Sequence, residues 1–113
     1  MQSISTSYSV VEAGPMPEWS NFRFRRPGIG SIPKFFLKER LDLSAMEISL
    51  NMLPPGIGMP FTHLHRENEE VYLFLSGEGE FQADGNLFPI RAGSCIRCAP
   101  EVSRAWRNTG SEP

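Results

Sequence analysis

The chain has 113 residues, 40% of them apolar, and 11 Lys+Arg against 13 Asp+Glu give a formal charge of −2. That length suits one domain, and the near balance of charge excludes the nucleic-acid or membrane-surface partner that a strong basic excess would serve. No apolar run approaches the roughly 20 residues of a membrane span, and the polar opening Met1-Gln2-Ser3-Ile4-Ser5-Thr6 lacks a secretion-signal core, so the expectation is a cytoplasmic protein with reduced cysteines.

In chain order, residues 1–33 read as an N-terminal arm. Ser7 to Glu12 (SYSVVE) predicts a strand, and Pro15, Pro17, Pro27 and Pro33 with Gly28 and Gly30 make the rest loop-like. Phe22-Arg23-Phe24-Arg25-Arg26 alternates aromatic and basic side chains. The plain reading is an amphipathic strand with a solvated basic face; contact with phosphates is the alternative. Lys34 to Leu41 (KFFLKERL) predicts a helical turn or two. Ser44 to Leu53 sets Met46, Ile48 and Leu50 against Glu47, Ser49 and Asn51, the alternation of a strand with one buried face.

Beyond the turn Pro54-Pro55-Gly56-Ile57-Gly58, short β-rich runs follow at close, even spacing. Phe61 to His65 is extended, and Arg66 to Glu69 turns. Val71 to Leu75 (VYLFL), apolar on both faces, predicts a central strand. Glu80 to Ala83 and Leu87 to Ile90 flank Asp84-Gly85-Asn86, a strong hairpin signal. A strand at Cys95 and another from Arg104 to Asn108 complete the series. The pattern predicts an all-β antiparallel barrel over residues 34–113. A further strand is expected after Asn108: either it is missing, or the arm or another chain supplies it, because an open edge invites pairing.

Cys95 and Cys98 form a Cys-x-x-Cys, which invites a redox or zinc reading. A redox pair wants a helix N-terminus, and zinc wants two further ligands. Here the pair lies on a strand, where residues three apart face opposite ways, so two unlinked packing cysteines are expected.

The chemistry concentrates at His63-Leu64-His65, two imidazoles on one strand face, followed by Glu69 and Glu70. Two His and one carboxylate form the facial set of non-haem iron and related centres; the bland reading is two half-buried histidines beside an acidic turn. Residues 54–81 (PPGIGMPFTHLHRENEEVYLFLSGEGEF) resemble the first cupin motif, with His63, His65, Glu70 and Gly77 matching and Gly56 or Gly58 one residue off the usual spacing. Residues 85–110 resemble the second motif through Gly93, Pro100 and Asn108, and Phe35 to Leu53 resembles the front of small single-domain bacterial cupins of the conserved-barrel type. The resemblance implies a double-stranded β-helix, or jelly-roll, barrel. It also implies a homodimer, which the short chain independently favours.

One departure matters. The fourth metal ligand of the motif, a histidine, falls at Arg104, four residues before Asn108. A guanidinium stays protonated and offers no lone pair. The implied ligand set therefore shrinks to His63, His65 and Glu70, for a divalent transition metal such as Mn, Fe, Ni or Zn. Three readings stand. In one the metal stays and Arg104 clamps an anionic substrate. In another Arg104 pairs with Glu70 and replaces the metal. In the third the register differs and Arg104 faces solvent. Trp106, on the face of Arg104, either stacks on a ligand or fills core. The functional expectations are a metal-dependent cupin, dioxygenase- or isomerase-like, acting on a small anionic molecule with the metal as Lewis acid; a metal-free binding or sensing module for a small metabolite; or a structural partner with a vestigial pocket.

Overall fold

A computed structural model describes residues 2–4, 7–26, 30–62 and 67–113. They fall into two compact units, Met1–Met52 and Leu53–Pro113.

The first unit is a series of short antiparallel hairpins. Strand β1 (Gln2–Ile4) pairs with β2 (Ser9–Val11), and a 3-10 turn covers Met16–Asn21. Strand β3 (Phe24–Arg26) pairs with β4 (Gly30–Ile32), and β5 (Lys34–Phe36) with β6 (Ser49–Asn51). The helix α1 spans only Lys38–Leu41. The expected helix from Lys34 is thus half strand: Phe35 pairs with Leu50, and that non-local ladder overrides local helix propensity. What starts α1 is also non-local, because Glu47 Oε1 accepts a hydrogen bond of 2.9 Å from the Lys38 backbone N–H, satisfying one of the orphan donors of a helix start.

The expected strand from Ser44 to Leu53 is corrected to Ser49–Asn51. Met46 and Ile48 are 57% and 43% exposed. Their stretch is committed to α1 instead: Glu47 caps its start and the Ile48 carbonyl accepts from Leu37 N–H at 2.8 Å.

Among the described residues the second unit has six strands: β7 (Gly58–Thr62), β8 (Glu70–Leu73), β9 (Glu78–Ala83), β10 (Asn86–Arg91), β11 (Cys95–Cys98) and β12 (Arg104–Asn108). One antiparallel sheet runs β10-β9-β12-β7, and β8 pairs with β11 in a second. Asp84 and Gly85, at φ 49° and 83°, make the tight turn between β9 and β10, as an Asp-Gly pair should. The Asp84 carboxylate also accepts from Ser103 N–H at 3.0 Å, tying the hairpin tip to the chain entering β12.

Phe81 of β9 is fully buried at the centre of the core, with Ile90 and Cys98. Its cross-strand neighbours are Phe88 and Trp106. From the second sheet, Tyr72 and Phe74 meet it edge-on, at 5.1 and 6.3 Å between centroids. These edge-to-face contacts add to area burial and hold the two sheets face to face. Trp106 packs against Phe74 at 5.6 Å within the same cluster.

Asn108 shows why an asparagine closes the second motif. It is buried, its amide donates to the Leu53 and Glu112 carbonyls at 2.9 and 2.7 Å, and its Oδ1 accepts from Gly110 N–H at 2.8 Å. One side chain thereby fixes where the unit begins and where its last strand stops. Glycine is required at position 79, because a Cβ there would lie 2.2 Å from the Arg107 carbonyl oxygen of β12.

Two further expectations are corrected. Among the described residues VYLFL is not central: β8 pairs only with β11, and Val71, Leu73 and Leu75 are 64%, 63% and 62% exposed while Tyr72 and Phe74 face the core. Both faces are apolar, but among the described residues of the second unit only the face of Tyr72 and Phe74 meets the core. The cysteines are unlinked, yet only Cys98 is buried; Cys95, on the opposite face, is exposed.

Phe81→Ala should cost about 3–5 kcal/mol, as for deleting a fully enclosed aromatic ring, whereas Leu87→Ala, at a position 61% exposed, should stay within about 0.5 kcal/mol. Urea unfolding of both variants checks this; equal losses would move the core away from Phe81.

Candidate functional site

The site begins where three strands and one turn converge. Glu70 opens β8, Cys98 closes β11 directly opposite it, and Arg104 opens β12. The intervening turn, 99–103, leads from β11 to β12. Because side chains alternate along a strand, Glu70 and Tyr72 share a face of β8.

Arg104 is 4% exposed, so the reading in which it faces solvent is overturned. The turn folds around its head. Nε–H donates to the Val102 carbonyl at 2.9 Å, and Nη2 to the Ala99 and Pro100 carbonyls at 2.9 and 3.4 Å. Nη1 donates to Glu70 Oε1, closing an ion pair. That same Oε1 accepts the Tyr72 hydroxyl at 3.0 Å. The buried charge is thus paired and hydrogen-bonded on several sides, as burial demands.

The electrostatics follow the geometry. Burial pushes the Tyr72 hydroxyl up to about 12, and the Glu70 carboxylate adds to the rise. Burial alone would weaken the charge on Arg104, but Tyr72 and Glu70 outweigh it and hold its pKa above the ordinary value. Burial also pushes the Cys98 thiol up against the opposing charge of Arg104, with Glu70 adding to the rise.

Of the residues singled out in the sequence, the structure brings Glu70 and Arg104 together. Trp106 belongs to the core cluster around Phe81. His63 and His65 lie outside the described residues. Glu69, the neighbouring carboxylate, points elsewhere and pairs with Arg97 at 3.2 Å on the surface. Sequence reasoning missed Tyr72, read only as part of the apolar VYLFL strand, although its spacing of two from Glu70 was the available signal. It also missed the carbonyls of the 99–102 turn, for which no residue type codes.

Whether these residues fit a metal can be tested on Glu70. Among the described residues no three His, Cys, Asp or Glu side chains cluster as a metal site. More telling is the chemistry: Oε1 of Glu70 already takes a charged hydrogen bond and a phenol, and the place of a fourth ligand is held by a donor-only cation. A four-ligand centre does not fit this set.

The Cupin domain family matches residues 49–113, more than half of the chain. The chain belongs to the cupin family. A relative, the oxalate-binding protein of Thermotoga maritima, is 33% identical over 88 residues, 76% of this cupin and 72% of the relative. Among solved structures, a cupin protein from Bacteroides fragilis is 35% identical with a TM-score of 0.64, covering 78% of this chain and 74% of that one. A predicted oxalate decarboxylase from Thermotoga maritima is 37% identical with a TM-score of 0.50, over 53% of this chain and 51% of that one. The all-β, double-stranded β-helix expected from the two motifs is the fold of this cupin.

Glu70→Gln leaves the buried guanidinium without its counter-charge and should cost about 2–3 kcal/mol in chemical denaturation, reduced from a fully buried pair because the Glu70 side chain is 30% exposed; no loss would mean the pair contributes nothing. For Tyr72, folding favours the neutral phenol, so its contribution is complete below pH 10 and is lost as pH rises towards 12. A spectrophotometric tyrosine titration should show a late ionisation near pH 12, and a late step that survives in Tyr72→Phe would place the perturbed phenol elsewhere.

Proposed function

We propose that this cupin binds a small carboxylate anion of the oxalate class, and that the Glu70–Arg104 pair stands in place of a metal. The single observation that carries the second half is the bonding of Arg104. A guanidinium held by three turn carbonyls and by Glu70 supplies at that point the positive charge that a metal ion would otherwise supply. A divalent cation added beside it would meet a fixed like charge and a carboxylate already engaged. Support for the ligand class comes from the relatives, one an oxalate-binding protein and one a predicted oxalate decarboxylase. In this reading His63 and His65 are free of metal and serve as polar partners for the anion, while the buried cation keeps the neighbourhood from being net negative.

The metal-dependent reading, with His63, His65 and Glu70 as ligands, makes the opposite forecast. Calorimetric titration of oxalate into chelator-treated protein, with and without Mn, Fe, Ni or Zn salts, separates the two. The expected result is oxalate binding that needs no metal and changes less than about threefold when one is added. Arg104→His should then become metal-responsive, because an imidazole restores a lone pair. Oxalate binding only in the presence of metal by the native chain would overturn the metal-free reading; no binding of oxalate or other small dicarboxylates under either condition would overturn the ligand class.

A further inference from the structure

Charge in this chain is unevenly spread. Residues 23–40 hold Arg23, Arg25, Arg26, Lys34, Lys38 and Arg40 against the single acid Glu39, although the whole chain is net −2. A local basic block in an acidic chain points to an anionic partner for that block.

The first unit shapes part of the block into a cleft of about 420 Å³, within the range of small-molecule sites. Its apolar wall is four phenylalanines. Phe22 stacks on Phe35 at 4.4 Å with 17° between planes, and Phe24 meets Phe36 edge-on at 4.9 Å. Its polar wall is cationic. The Arg40 guanidinium lies 4.2 Å from the centroid of Phe35, so that ring is covered by Phe22 and Arg40, and the Lys34 ammonium lies 5.1 Å from the centroid of Phe36. Arg23 completes the lining, which contains no acidic side chain among the described residues.

Cation–π stacking explains why Arg40 sits where it does. It does not explain why further cations gather on the same cleft. The hydrogen bonds of Arg23 run to the Ser20 and Phe22 carbonyls, and that of Arg40 to the Phe36 carbonyl. None of these acceptors carries a charge, and each guanidinium has five N–H donors. The Arg23 and Arg40 guanidiniums line one cleft with no carboxylate among its described lining residues, so like charges meet there, and an oxyanion with an apolar body relieves both that repulsion and the exposure of the rings.

We infer that the Phe/Arg cleft of the first unit is a second binding site, for a small aromatic oxyanion: a ring bearing a carboxylate or phosphate group. Arg23 and Arg40 take the anionic oxygens, and the phenylalanine edges take the ring. This site is separate in sequence and chemistry from the Glu70–Arg104 region and does not depend on the oxalate reading.

The test is amide-resolved NMR titration of the full chain with phenyl phosphate and with benzoate, whose two responses separate phosphate from carboxylate. Inorganic phosphate and benzyl alcohol serve as charge-only and ring-only controls. At least one aromatic anion should shift amides of residues 22–24 and 34–40 and bind at least about tenfold tighter than either control. Arg23→Gln should weaken that binding at least about fivefold, with Arg91→Gln, an exposed strand position, unchanged. Arg40→Gln removes a ring contact as well as a charge, so Arg40→Lys accompanies it: partial retention of affinity in Lys and loss in Gln supports an anion contact. Shifts elsewhere in the chain, equal binding of a control, or unchanged affinity in Arg23→Gln would overturn the site.

Discussion

The constraint on which the second unit turns is a positive charge that cannot be neutralised. An arginine keeps its proton in any protein interior, so burying Arg104 obliges the fold to bring acceptors to it. The fold does so from two directions: the 99–102 turn gives carbonyls and β8 gives Glu70, which Tyr72 of the same strand steadies. The carbonyl bonds close the turn between β11 and β12, and the Glu70 bond joins β12 to β8. The guanidinium therefore fixes the start of β12 relative to β8 and sets the path of the turn between β11 and β12. The hydrophobic core around Phe81 drives the sheets together, since apolar burial is large but non-directional; Arg104 supplies direction at one edge of that core.

How much of this could be read from residues alone depends on the range of the interaction that decides each element. The β9–β10 hairpin was legible because Asp84-Gly85 encodes its own turn, and β12 was legible to the residue, Arg104 to Asn108. Lys34 to Leu41 was not. Its local preference is helical, but Phe35 pairs with Leu50 and Lys38 is capped by Glu47, and neither partner lies within the window that propensity sees. Met46 and Ile48 alternate like a strand face yet stay exposed, because alternation says which residues could be buried and not whether a covering layer exists. VYLFL misled for the same reason.

The site divides along the same line. Glu70 and Arg104 were found through the resemblance to the two cupin motifs, and their pairing was one of the arrangements open to them. The crown of carbonyls was hidden because backbone groups carry no residue signature, and the Tyr72 hydroxyl because an aromatic between two apolar residues reads as packing. Sequence therefore locates the charged groups of a site better than the neutral groups that hold them in place.

Exchanging imidazole for guanidinium at position 104 reverses the polarity of everything around it. A ligating histidine turns a lone pair inward, and the shell behind it must accept its remaining N–H. An arginine has only donors, several of them, so its neighbours must all be acceptors. The turn meets that demand: the Ala99, Pro100 and Val102 carbonyls face the guanidinium, and proline at position 100 contributes a carbonyl with no competing N–H. A histidine in this nest would leave several of those carbonyls without a donor. Position 104 and the turn before it are thus matched to one another, which is the consistency across levels expected of a settled arrangement. The arginine belongs to the architecture of this cupin, and the chemistry of the pocket has to be derived with that cation in it.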